Sequence, residues 1–271
     1  MRSALVGVLS CVVACGDDGG PAAVPDATPD SAPPMVECWA NSADKIACAF
    51  TCAGVAFPTT APDPISHTGS VSEMQGPTIG GATVEVRDAA TDAVLATATT
   101  NNGASMVGRF TASIATGGVA PTLYRKIVVS GHPDAYSYDA TAAYDAAHAA
   151  NSVSVSPTQA KLDSFYASAF VTHSAGLSLV QLQIQDCAGH GVSGAQVALE
   201  GATKVLYNSG SGAKIPDPSA AAIATDSTAT AWIVDGPVGV LHPTITAGDV
   251  TYRDVALAGY ADLYSYALRR P

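Results

Sequence analysis

Residues 80–114 read GGATVEVRDAATDAVLATATTNNGASMVGRFTASI, and their alternation decides the fold. In Ala82–Arg87, the side chains of Ala82, Val84 and Val86 fall on one side of an extended chain and those of Thr83, Glu85 and Arg87 on the other, the period of two of a half-buried strand. Val94–Thr99 predicts a second strand. Asn101, Asn102 and Gly103 reach positive φ at little cost and predict a turn, after which Phe110, Ala112 and Ile114 alternate with Arg109, Thr111 and Ser113. Short alternating strands joined by tight connections predict part of a β-sandwich.

Working outward toward the C-terminus, the same pattern restarts at Leu177. Val180, Leu182 and Ile184 are predicted to face inward, with Gln181, Gln183 and Gln185 outward. Gly194–Leu199, GAQVAL, repeats Gly81–Val86, GATVEV, at an offset of 113 residues, so the halves read as duplicated modules. The pattern of GA-x-V-x-V-x-D, then VLATATT, N-G and G-R-F resembles the carboxypeptidase-regulatory-like (transthyretin-like) β-sandwich repeat. That resemblance implies a fold and carries no chemistry. Further strands are predicted at Leu123–Ser130, Ala135–Tyr138, around Val153 and Val155, on both sides of Gly248-Asp249, and from Tyr260 to Leu268.

Between the modules, Ser156-Pro157-Thr158-Gln159 carries a helix-start signature, with Ser156 as cap and Pro157 in the first position. Leu162, Phe165, Tyr166, Ala169 and Phe170 then follow at helical spacing and predict an apolar stripe that needs a partner. The expected fold class is all-β: two small antiparallel β-sandwich (transthyretin-like or Ig-like) domains joined by a short α-helix, after a disordered tether. The divisions are a leader at 1–14, a tether at 15–36, a Cys-containing cap at 37–65, sandwiches at 66–156 and 176–271, and a linker helix at 157–175.

At the N-terminus, Arg2 precedes an apolar run, Ala4–Val13, too short to cross a bilayer as a mature helix. Val12-Val13-Ala14-Cys15 resembles the lipobox of bacterial lipoproteins, which implies cleavage before Cys15 and lipidation of that residue. The segment that follows has prolines at 21, 25, 29, 33 and 34 and no apolar periodicity, so it cannot offset its ordering entropy. At about 3 Å per residue in polyproline geometry, about 20 residues hold a domain about 60 Å from a membrane surface.

The formal charge is −11, and removing a leader whose charged residue is Arg2 takes it to −12. So acidic a surface excludes nucleic acid as a partner, and anchoring to a membrane must come from acyl chains. With Cys11 in the leader and Cys15 lipidated, Cys38, Cys48, Cys52 and Cys187 are left as disulfide candidates, with three possible connectivities. A four-thiolate zinc site is the alternative, but Cys48 and Cys52 supply only half a ligand pattern and Cys187 stands apart.

No catalytic constellation is legible. Ser211 lacks the strand–turn–helix context of a nucleophile elbow, and His67, His132, His190 and His242 sit beside turn residues. Related sandwiches in intradiol ring-cleaving dioxygenases hold iron with two Tyr and two His, which draws His132 and Tyr136 into view. No H-x-H pair occurs, so that ligand set cannot be assigned. The sequence therefore predicts no catalytic residue, no metal and no cofactor. It points to a cell-envelope protein, lipid-anchored at the outer membrane and periplasmic or surface-facing, whose sandwiches serve adhesion or scaffolding. The alternative is an accessory module for a polymer or glycan, with Trp232 or Tyr264 and Tyr266 as an exposed stacking platform. A protein or polysaccharide would be the partner, and an unrecognised hydrolase or dioxygenase is a third reading.

Overall fold

Every strand read from alternation at 80–114 forms where its period of two places it, in a computed structural model that describes residues 58–139, 152–186, 191–208, 216–224, 229–248, 250–252 and 256–269. All of these lie in Glu37–Pro271, one of two units into which the chain divides. In chain order they form β1 (Ile65–Ser72), β2 (Thr83–Asp88), β3 (Val94–Thr99), β4 (Arg109–Ile114), β5 (Leu123–Val128), β6 (Ala135–Tyr138) and β7 (Ser152–Val155). Helix α1 (Gln159–Ser168) follows, then β8 (Ser178–Ile184), β9 (Gln196–Ala198), β10 (Lys204–Asn208), β11 (Pro216–Asp217) and β12 (Thr230–Gly236). The last are β13 (Gly239–Leu241), β14 (Thr244–Ala247), β15 (Val250–Thr251), β16 (Leu257–Gly259) and β17 (Tyr264–Arg269). The protein is all-β with one helix among the described residues.

The halves on either side of α1 share one sheet. Nine strands run in the order β11-β10-β12-β8-β17-β6-β5-β2-β3, and the junction is β17, hydrogen-bonded in parallel to β8 on one side and β6 on the other. β1 and β7 also pair in parallel, so the sheets are mixed rather than purely antiparallel. The β1–β7 approach is close: a Cβ at Gly69 would lie 2.5 Å from the Ser152 carbonyl oxygen, which only glycine avoids.

Two cores cover the two faces of the long sheet. One joins Val84, Val86, Ile127, Leu179, Trp232 and Tyr264 with Ile65, Phe110 and Ile114 of the β4-β1-β7 sheet and with Leu162 and Phe165 of α1. The other joins Tyr124, Tyr136 and Tyr138 with Val180, Leu182, Ile184 and Ile233, and with Val197, Ile245 and Leu257 of the small sheets. Covering on both faces corrects the sequence expectation at β8. Gln181 is buried, and its side-chain oxygen accepts from Tyr264 Oη at 2.7 Å, while Gln183 accepts from Tyr266 Oη at 2.5 Å.

The strand expected around Val153 and Val155 forms as β7; its buried side chains are Ser152, which donates to Asp139, and Ser154, which accepts from an arginine of β5, and Val153 is exposed. Two other expectations change. The cap of α1 is Thr158, not Ser156: its Oγ1 accepts from the Lys161 N–H at 3.3 Å and donates to Glu73 Oε1 at 3.2 Å. Phe170 is 84% exposed, since the helix ends at Ser168 and Phe170 turns away at φ +53°. Leu162, Phe165 and Ala169 are buried as the stripe predicts.

Candidate functional site

Local alternation builds one concave feature of the described residues. In β5 and β6 the residues Tyr124, Tyr136 and Tyr138 project to the face opposite Leu123, Ile127 and Ala135, and Tyr260 follows β16 into the same region. The Tyr136 and Tyr260 rings stack with centroids 3.5 Å apart at 11°, and Tyr124 stacks on Tyr138 at 5.3 Å and 17°. Together Tyr124, Tyr138 and Tyr260 line a cleft of about 450 Å³ with Asp92, Ala90 and Val240. Val240 is 70% exposed at its lip.

The polar groups of this cleft converge. Tyr138 Oη and Tyr260 Oη lie 3.3 Å apart, and Tyr124 Oη donates to Asp92 Oδ1. Arg87 donates to the same carboxylate oxygen at 3.0 Å and to Glu85 Oε2 at 2.7 Å. Burial raises the pKa of Tyr124, reinforced by its bond to Asp92, and burial likewise raises Tyr138 and Tyr136, so all three stay protonated hydroxyls. The Tyr124 hydrogen bond and then Arg87 hold Asp92 below the usual carboxylate range. The cleft thus presents flat apolar walls, neutral hydroxyls and one ionised, arginine-paired carboxylate.

A second cluster is sealed rather than open. Arg125 in β5 is fully buried and forms a two-pronged pair with Asp139, both contacts at 2.7 Å. Its Nε donates to Ser154 Oγ at 2.8 Å and its Nη2 to the Val153 carbonyl at 3.1 Å, while Ser152 Oγ donates to Asp139 at 2.7 Å. His67 Nε2 lies 3.3 Å from Arg125 Nη1. These bonds tie β5 to β7 and β1 across the sandwich. A buried charge so fully paired holds layers together.

A third cluster pins the segment after α1. His173 contacts Asp235 at 2.9 Å and Asp262 at 3.2 Å, and its ring stacks on Tyr166 of the helix at 4.9 Å. Both aspartates have positive φ, and they accept from the backbone N–H groups of Ser174 and Gly176.

The residues singled out from sequence fall differently. Cys15, Cys38, Cys48, Cys52, Cys187, His190 and Ser211 lie outside the described residues. Trp232, Tyr264 and Tyr266 are buried in the first core, so they form no exposed platform. His67 is also buried, against the surface position its turn neighbours suggested. His132 is a turn histidine whose Nδ1 meets Ser156, and Tyr136 is packed on the sheet, as read. Tyr124, Tyr138 and Tyr260 were not singled out. The signal for Tyr138 was the Tyr-Ser-Tyr alternation at 136–138, which sets it on one face with Tyr136.

No family model and no curated protein matches the chain. Among solved structures, similarity extends to the Bacillus anthracis TIE protein, at 9% identity and a TM-score of 0.23, over 77% of this chain and 34% of that one. It extends also to a mutant of the shaft pilin spaA from Lactobacillus rhamnosus GG (11%, TM-score 0.23, covering 77% of this chain and 98% of that one). The Streptococcal ancillary pilin is similar at 9% and 0.23, over 76% of this chain and 62% of that one. The chain spans about a third of the length of the first of these. The all-β architecture stands on the strand pairing itself. Among the described residues no three His, Cys, Asp or Glu side chains group as metal ligands, and no helix is long and apolar enough to cross a membrane.

Proposed function

We propose that this chain is a lipid-anchored cell-envelope protein whose β-sandwich halves act together as an adhesion or scaffold module. The observation that carries the reading is the shared sheet: β17 fastens the half before α1 to the half after it through a parallel ladder on each edge. A module that must transmit force or hold a surface away from a membrane needs its parts fixed in one body. Buried polar side chains serve that purpose: Arg125 of β5 reaches Ser154 of β7, and His173 after α1 holds Asp235 of β12.

Anchoring rests on the apolar leader and on Val12–Cys15, with the acyl chains on Cys15 each contributing about 0.8 kcal/mol per buried CH₂. Cys15→Ala is therefore expected to leave an uncleaved precursor or to move the protein out of the detergent phase in a phase-partition assay. Unchanged partitioning of that variant would remove the lipid anchor. Crosslinking and pull-down from native membranes is expected to recover a specific surface partner for the sandwich, and recovery of none would remove the adhesion role.

A further inference from the structure

We propose that the tyrosine-lined cleft binds a neutral carbohydrate chain, which names the partner class for the adhesion reading and rests on it. The first argument is shape. A volume of about 450 Å³ lies in the range of small-ligand sites, and its lining is mostly apolar, with the half-buried Tyr260 ring beside Ala90, Val240 and Leu257, a surface on which the C–H face of a sugar ring packs.

The second argument is the polar pattern. A sugar carries vicinal hydroxyls that donate and accept at once. Tyr138 and Tyr260 offer two hydroxyls 3.3 Å apart, and one hydrogen shared between them leaves the pair with donor and acceptor capacity to spare. Asp92 has Oδ1 occupied by Tyr124 and Arg87, and its second oxygen is an acceptor on a side chain 69% exposed. A carboxylate acceptor at the lip wants an O–H or N–H donor. A polyproline segment, the other common ligand of aromatic grooves, has no backbone N–H to give it.

Charge supplies the third argument. The cleft's one carboxylate, Asp92, shares Arg87 with Glu85, so the lining offers no unpaired cation on a chain of formal charge −11. An anionic polymer meets repulsion from the surrounding surface without a free cation in the lining to offset it. A cationic ligand has to compete with Arg87 and Tyr124 for Asp92. The occupant that matches is uncharged, hydroxyl-rich and flat on one face.

The test uses the detergent-solubilised full chain, with cellohexaose, maltohexaose and chitohexaose as probes and decaproline as the competing peptide, followed by titration calorimetry. At least one oligosaccharide is expected to bind saturably, and Ala90→Trp, which fills the cleft from an exposed turn, should weaken it by about tenfold or more. Asp92→Asn, which tolerates the positive φ at this position, should weaken it by a smaller factor. An unchanged melting temperature for Ala90→Trp would show that the loss is local. Saturable binding by none of the oligosaccharides, binding indifferent to Ala90→Trp, or binding of decaproline in place of the sugars would each overturn the proposal. Because binding is read on solubilised protein, that failure is separate from the partitioning result that tests the anchor.

Discussion

Arg125 shows what a single residue does here. Its guanidinium is fully buried, and it stays charged because Asp139, Ser154 and the Val153 carbonyl surround it with acceptors. Arg125→Leu leaves the Asp139 carboxylate without its cation, and breaking a buried pair this way costs about 3–5 kcal/mol. Urea unfolding of Arg125→Leu, Asp139→Asn and the double variant should show the second change costing much less once the first is made. Full additivity would mean that the pair does not act as a unit. Asp235 supplies a pH signature. Burial works to raise its pKa, but the hydrogen bonds from Ser174 and His173 outweigh burial and leave it lowered. A depressed carboxyl stabilises the fold above its unfolded value, and that contribution is lost as pH falls through the folded value. The stability gap between wild type and Asp235→Asn should therefore narrow below about pH 4. A gap constant from neutral pH down to about pH 3 would assign Asp235 no such role. None of these partnerships was legible in the sequence: alternation puts Arg125 on the face of Ile127, and its partners Asp139 and Ser154 lie 14 and 29 residues away.

At the scale of elements, periodicity carried far and stopped for identifiable reasons. β4 has the expected faces, with Phe110, Ala112 and Ile114 buried and Arg109, Thr111 and Ser113 exposed, because solvent covers one side of it. β8 breaks the rule because both its sides are covered. Gln181, buried, and Gln183, half-buried, accept from tyrosine hydroxyls 83 residues away, which no local window contains. The cleft was half legible for the same reason: 136–138 shows its alternation, whereas Tyr124, Asp92 and Tyr260 join it only through tertiary pairing. In α1, the apolar stripe ran two residues past the helix end at Ser168. Phe165 packs on Trp232 with ring centroids 5.6 Å apart, while Phe170 points to solvent. Phe165→Ala should cost about 3 kcal/mol or more, and Phe170→Ala close to nothing, in thermal or denaturant melts. Equal effects would mean that the helix lies on the surface without docking, and a helix this short is not stable in water without a partner.

For the molecule as a whole, the duplication read from GATVEV and GAQVAL suggested two modules in series, yet the sheet runs through both. The cause is β17, the strand latest in the chain, which pairs six residues with β8 and four with β6. Local pattern shows that 264–269 is a strand but not which neighbours it joins, because parallel pairing is set by the return path of the chain. This topology has a thermodynamic consequence. Tyr264 and Tyr266 belong to the core that holds Val84 and Phe110 on one side and Trp232 on the other, so neither half keeps its core if β17 leaves. The chain from residue 58 onward should then unfold in one transition, with calorimetric and van't Hoff enthalpies in agreement. Ser265→Pro is the sharper probe: it sits mid-strand between Val180 and Tyr136, removes a ladder N–H and introduces a ring between two neighbouring strands. Amide exchange should accelerate together in β2 and β12, which lie on opposite sides of β17 in the sheet. Protection retained in β2 while β12 is lost, or the reverse, would mean that each half folds on its own core and that the shared sheet is a contact between independent domains.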